Sequence, residues 1–206
     1  MIRINKGAEP KAWTEKKNTP GFTEYAPIPE LREALLKEQG TICAYCMRRI
    51  PINDPNTAET SKIEHIKSRE DRPDLQLSYS NMVVCCPGNI DNEPHCDKLK
   101  GGKSVNFDLF NSALQNSISY LTDDGTIVSS NYNWNKDINE LLNLNHSRLK
   151  QNRKNTIEGI IEVIKLKGWK SSNLNRKLHN WSNLDNQGKL KPYCGIVIWY
   201  LEKKLR

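Results

Sequence analysis

The chain has 206 residues, 36% of them hydrophobic, and carries a formal net charge of +7. That length suits one ordinary domain or two small ones. No apolar run approaches the roughly 20 residues of a membrane span, and the first residues lack the apolar stretch of a secretory signal. The expectation is therefore a cytoplasmic protein whose six cysteines are metal ligands or buried thiols rather than disulfides.

Residues 1–28, punctuated by Pro10, Pro20 and Gly21, read as an extended arm with little regular structure. A helix is predicted over 29–39: Pro29 suits the first turn, Leu31, Leu35 and Leu36 form an apolar stripe, and Gly40 stops it. Residues 41–103 are loop-rich and short in aliphatics, so this segment needs a staple such as a metal. Within it, 61–66 reads as a short strand, 67–80 as a loop, 82–84 as a second strand, and 96–103 as a short helix ending at Gly101 and Gly102.

Beyond that the pattern is mainly helical. A turn is expected at 122–126, followed by a small hairpin that includes Ile127 and Val128. Ile157, Ile160, Ile161 and Ile164 recur at helical spacing on a helix from about 145 to 168. Tyr193, Ile196, Val197 and Tyr200 repeat the spacing on a last, well-buried helix, where Cys194 reads as core. From Leu144 to Arg206 the chain holds 14 Lys and Arg against four acids, a net +10, leaving −3 for the remainder. Such asymmetry points to a polyanion partner, against the plainer reading of a solvated helical surface.

The chemistry concentrates in residues 43–100. Cys43 and Cys46 form a C-x2-C knuckle, which lets two sulfurs face one ion. Cys85 and Cys86 are adjacent, and neighbours rarely bind one tetrahedral ion together. Cys86 is paired with Cys96, and Cys85 is left as a buried or spare thiol. His95 is an alternative fourth ligand, and the nine residues between Cys86 and Cys96 are longer than a standard knuckle. Glu64, His65, Asn81 and Asp97 stand among these thiols. An imidazole titrates near neutrality and can take a proton from water. Glu64, Asn81 and Asp97 are oxygen donors suited to a hard cation such as Mg²⁺ or Mn²⁺, and Lys98 and Lys100 are candidate phosphate contacts. Strand alternation puts Glu64 and His65 on opposite faces, hence in different roles unless the strand is irregular there. His146 and His179 read as structural or exposed.

These residues resemble the HNH endonucleases. The likeness lies in Cys43 and Cys46, Glu64-His65, Asn81-Met82, Cys86, Cys96 and Lys100. Asp97 departs from it, standing where His or Asn is usual. More of the chain is similar to the PtuB-like nucleases of Septu and retron antiphage defence. Ile2 to Gly7, Tyr45, His95-Cys96, Lys98 to Gly101, Leu141 to Asn145, Leu149 and Arg153 carry that likeness.

The resemblance implies an α+β protein with a ββα-metal core at 29–110 and a mainly helical basic region at 111–206. It implies structural Zn²⁺ on Cys43, Cys46, Cys86 and Cys96, and catalytic work by His65, Asn81, Glu64 and Asp97, with Asn81 either binding the catalytic ion or orienting His65. It further implies a PtuA-like ABC/SMC-type ATPase partner, a DNA or RNA substrate, and a retron reverse transcriptase with its DNA–RNA product. The competing readings are a non-catalytic zinc-dependent nucleic-acid-binding protein and an inactive ATPase adaptor.

Overall fold

The computed structural model describes residues 1–52 and 60–206, so part of the loop-rich segment expected at 41–103 lies outside the described residues. Its elements in chain order are α1 (Lys11–Lys17), α2 (Pro29–Glu38), β1 (Lys62–His65), β2 (Met82–Cys85), β3 (Asn89–Ile90), β4 (Glu93–Pro94), α3 (Cys96–Lys100), α4 (Ser112–Ser117), β5 (Ile118–Tyr120), β6 (Ile127–Ser129), α5 (Tyr132–Lys136), α6 (Ser147–Lys167), α7 (Ser171–Ser182) and α8 (Cys194–Leu205). The class is mixed α+β: helices predominate, and the strands form three separate antiparallel pairs, β1–β2, β3–β4 and β5–β6. No helix among the described residues is long and apolar enough to cross a membrane.

One apolar core runs through all three segments of the chain. Met1, Ile4 and Trp13 join it from the N-terminal stretch, Leu31 and Leu35 from α2, Val83 and Val84 from β2, and Ile196, Val197 and Leu201 from α8. The extended arm expected at 1–28 is corrected accordingly. Residues 11–17 form α1, and Trp13 is fully buried, with its indole N–H donating to the Leu77 carbonyl at 3.2 Å. A polar stretch hid this helix because it needs only one large apolar anchor; Phe22 and Tyr25 pack edge-on against that indole.

The expected helix with isoleucines at 157–164 is α6, which buries Ile157 and Ile164 and half-buries Ile160 and Ile161. Its first turn is capped by His146, whose Nδ1 accepts from the Arg148 backbone N–H at 3.1 Å. Arg153, counted above with the basic surface, is instead buried. Its guanidinium donates to the carbonyls of Gly125 at 2.6 Å and Leu144 at 2.8 Å. The 141–153 signature is thus a packing device. Leu142 adds to it by accepting the Cys96 backbone N–H at 2.8 Å, which ties the helical region to the first residue of α3. α8 closes the molecule: Tyr193 donates its backbone N–H to Met47 at 2.9 Å, and Gly195 lies so close to Met47 and the Tyr120 hydroxyl that a β-carbon would collide with them.

Candidate metal centre and acid–histidine cleft

The thiols of Cys43, Cys46, Cys86 and Cys96 are buried and lie within 4.8 Å of one another. Two come from the turn after α2, one follows β2, and one opens α3. The Cys43–Cys96 and Cys46–Cys86 sulfur distances are 3.9 Å and 3.8 Å. A tetrahedron with zinc–sulfur bonds of about 2.3 Å has edges of roughly 3.8 Å. The four sulfurs therefore have the spacing and chemistry of a closed structural zinc site. Cys85 lies outside the set. It is buried, its pKa is raised well above the ordinary thiol value chiefly by burial, and it contacts the Cys43 sulfur as a protonated neighbour.

His95 is also outside the set. Its Nδ1 lies 3.1 Å from the Cys96 sulfur, and its buried Nε2 has no partner among the described residues. Cys96 itself sits at φ +51°, a left-handed conformation of the kind that surrounding structure must enforce.

The long gap between Cys86 and Cys96 has a simple resolution. Residues 89–94 form the β3–β4 hairpin, which turns through Asp91 and Asn92, both at positive φ. At its base the His95 backbone N–H donates to the Gly88 carbonyl at 2.8 Å. Gly88 sits at φ +73°, and a β-carbon there would meet the His95 carbonyl oxygen. The two ends are thereby brought together, and the insertion projects away as a side branch. Arg148 pairs with Asp91 at 2.9 Å and His146 with Glu93 at 3.0 Å, which fastens the branch to the start of α6.

Beside this centre, β1 pairs with β2 in antiparallel register, Glu64 opposite Val83 and His65 opposite Met82. Both Glu64 and His65 are buried, because the small sheet is covered on both faces. Their partners differ, yet both side chains line the same cleft, so strict alternation onto opposite faces is not kept here. Glu64 accepts from the Tyr45 hydroxyl at 3.1 Å, forms an ion pair with Lys100 Nζ at 2.6 Å, and is in hydrogen-bonding contact with Asp97. Burial, and then the neighbouring Asp97, raise its pKa to about 8 against the opposing pull of Lys100. His65 Nε2 lies 2.9 Å from the Gln76 carbonyl oxygen, and its ring packs edge-on against Tyr25 at 4.6 Å.

A carbonyl only accepts, so Nε2 carries the proton and Nδ1 keeps its lone pair. Among the described residues nothing hydrogen-bonds Nδ1. Burial lowers the His65 pKa, so the ring is neutral near pH 7. Glu64, His65, Arg69, Asp97 and Lys100 line one cleft of about 440 Å³.

Asn81 is not in that cleft. Its amide oxygen accepts the Lys67 backbone N–H at 2.8 Å and its amide nitrogen donates to the Lys67 carbonyl at 2.9 Å. It clips shut the loop that carries Gln76 and lines a different cavity. Of the two roles expected for Asn81, ligating an ion with Glu64 and Asp97 or orienting His65, the placement outside the cleft favours the second. Its link to His65 is indirect, through the loop that holds the Gln76 carbonyl.

Lys100, expected at phosphate, is 2% exposed and spans Glu64 and the His65 backbone carbonyl, the latter at 3.1 Å. Lys98 is exposed on α3 and does not line the cleft. The roles of Gln76, Tyr25 and Arg69 had no sequence signal, because a backbone carbonyl and a packed ring look like any loop. Searches of family models and of curated proteins give no match to this chain.

Proposed function

We propose that this chain is a metal-dependent endonuclease of the HNH type that hydrolyses phosphodiester bonds. The observation that carries this reading is His65: a neutral imidazole, its Nε2–H held by the Gln76 carbonyl and its Nδ1 unpartnered among the described residues, lining a cleft with Glu64 and Asp97. Such a nitrogen is placed to take a proton from a water that attacks phosphorus. Tyr25 and the Asn81-clipped loop keep the ring from rotating away. Arg69 lines the same cleft and supplies a permanent cation with a fork that suits phosphate.

Glu64 and Asp97 would hold a divalent cation such as Mg²⁺ or Mn²⁺. Two carboxyls in hydrogen-bonding contact, one of them with its pKa raised, are a donor set that such an ion suits. When bound, that ion would neutralise charge on the phosphate and on the leaving oxygen. Zinc on the four cysteines would hold α3 against the turn after α2. In this reading β1, β2 and α3 form the ββα-metal core. The antiphage role, the ABC/SMC-type ATPase partner and any link to a retron reverse transcriptase rest on the sequence resemblance.

The test is His65→Ala in the purified, zinc-loaded chain with its ATPase partner, assayed on DNA and on RNA with Mg²⁺ or Mn²⁺. Loss of about 10²–10⁴-fold in cleavage with one zinc retained is expected; full activity in the variant would end the assignment. A non-catalytic, zinc-held binding module or adaptor is the second reading. It is favoured by the Lys100–Glu64 ion pair, which satisfies one acid without any added cation. That reading expects binding without cleavage under every metal condition.

A further inference from the structure

A second cleft lies far along the chain from His65. It has a volume of about 580 Å³ and is formed by the end of α7 and the loop leading to α8. Trp181, Leu184, Lys177, Lys191 and His179 line it, with several side-chain amides. The Lys191 ammonium sits 5.6 Å from the centre of the Trp181 ring. The pairing recurs elsewhere in the C-terminal helices, with Lys203 at 5.2 Å from Trp199 and Lys204 at 5.7 Å from the half-exposed Trp169. One acid, Asp185, lines the cleft, and its Oδ1 accepts the backbone N–H groups of Gln187 and Lys189, both at 2.9 Å. That carboxylate is turned into its own loop. Like charge crowds the wall as well, since Lys167 and Arg176 act on Lys177.

The loop is firmly mounted. Leu190 donates its backbone N–H to the Gly40 carbonyl at 3.0 Å, and Arg49 bridges the carbonyls of Leu190 and Gly40. Gly40 lies three residues before Cys43, so the cleft is held against the frame of the proposed zinc site.

We propose that this cleft is a second nucleic-acid site, gripping an unpaired nucleotide with its base on Trp181 and Leu184 and its flanking phosphates on Lys177 and Lys191. Base stacking on an aromatic ring with lysines along the backbone path is the physics of single-strand binding. A duplex keeps its bases stacked inside and offers none to such a cleft. The side-chain amides around the indole match base edges better than they match an acidic peptide. The proposal rests on the nuclease reading for its purpose, though not for the binding itself.

The experiment uses the full, zinc-loaded chain carrying His65→Ala, so that the probe survives. Fluorescence anisotropy follows a labelled 12-nucleotide oligothymidylate and a duplex of equal length across a salt series. Trp181→Leu is expected to weaken single-strand binding roughly tenfold or more. Lys177→Gln with Lys191→Gln should lower the slope of log affinity against log salt by about 0.7 per lysine. Unchanged affinity and slope in both variants would overturn the proposal. So would equal losses on single strand and duplex, or loss of an acidic protein partner with oligonucleotide binding intact.

The two readings fail separately. Normal oligonucleotide binding by these variants, with cleavage by the His65-bearing parent chain still lost in His65→Ala, removes this site alone. Cleavage indifferent to His65, with binding that needs Lys177 and Lys191, removes the nuclease reading alone.

Discussion

The sulfur cluster and the acid–histidine cleft share α3, and they are built on opposite plans. Cys96 opens that helix toward the cluster, while Asp97 and Lys100, on the same five residues, line the cleft. In the cluster four like groups surround one point with all the sulfurs buried, a set that could close fully around one ion and leave no place for substrate. In the cleft unlike groups meet with their bonding unfinished: a neutral imidazole whose Nδ1 has no partner among the described residues, and a Glu64 carboxyl pushed up to about 8 by burial and by Asp97. A complete set of ligands serves stability, and an incomplete one leaves room for reaction.

The sharpest way to break the contrast is at the cluster. Zinc held by four thiolates contributes about 10–16 kcal/mol in small domains, which matches or exceeds the roughly 5–15 kcal/mol stability of a whole domain. Cys96→Ser is therefore expected to abolish the cooperative unfolding transition and the bound zinc. Cys85→Ala should keep one zinc per chain by elemental analysis, because Cys85 only flanks the set.

In the cleft the expected effect is smaller and depends on pH. The Glu64 carboxyl titrates at about 8 when folded against an ordinary 4.5. A raised folded value means that the folded state holds the extra proton. The stabilisation is full below about 4.5 and is lost as pH rises through about 8. Without added divalent ion, stability by urea unfolding should fall across that window, and Glu64→Gln should flatten the fall. A profile that is flat in the parent chain would show that Glu64 does not hold the extra proton.

Asn81 comes next. Asn81→Ala leaves the Lys67 N–H and carbonyl without their partner, an expected loss of about 1–3 kcal/mol. Cleavage should fall with it, while zinc content stays unchanged. If stability drops and cleavage does not, the loop is not what holds His65.

Least of all, Arg148→Ala breaks an exposed ion pair to Asp91 and should change stability by under about 1 kcal/mol.

Local spacing made the cluster legible. Two cysteines three apart, and two more flanking a strand and a helix, carry their geometry in the chain itself. The strands β1 and β2 and helix α3 were legible within a residue or so at most ends, for the same reason. What escaped was whatever depends on a distant backbone atom. The Gln76 carbonyl that fixes the His65 proton, and the Lys67 backbone that occupies Asn81, lie in a loop whose composition announces only a loop. Lys100 and Arg153 escaped differently. Both look like surface cations by type, and both are buried because each meets enough fixed acceptors to offset desolvation. The helix around Trp13 was missed because one buried indole leaves no periodic stripe.

The β3–β4 side branch has a practical consequence. Its base is closed by a backbone bond between residues 88 and 95, and its tip at Asp91 and Asn92 is exposed. Lengthening such a tip costs little, about 0.6 kcal/mol for each doubling of a flexible loop. A short peptide tag or a fluorophore-bearing insert placed there would report on the protein from beside the sulfur cluster while leaving its four ligands in register.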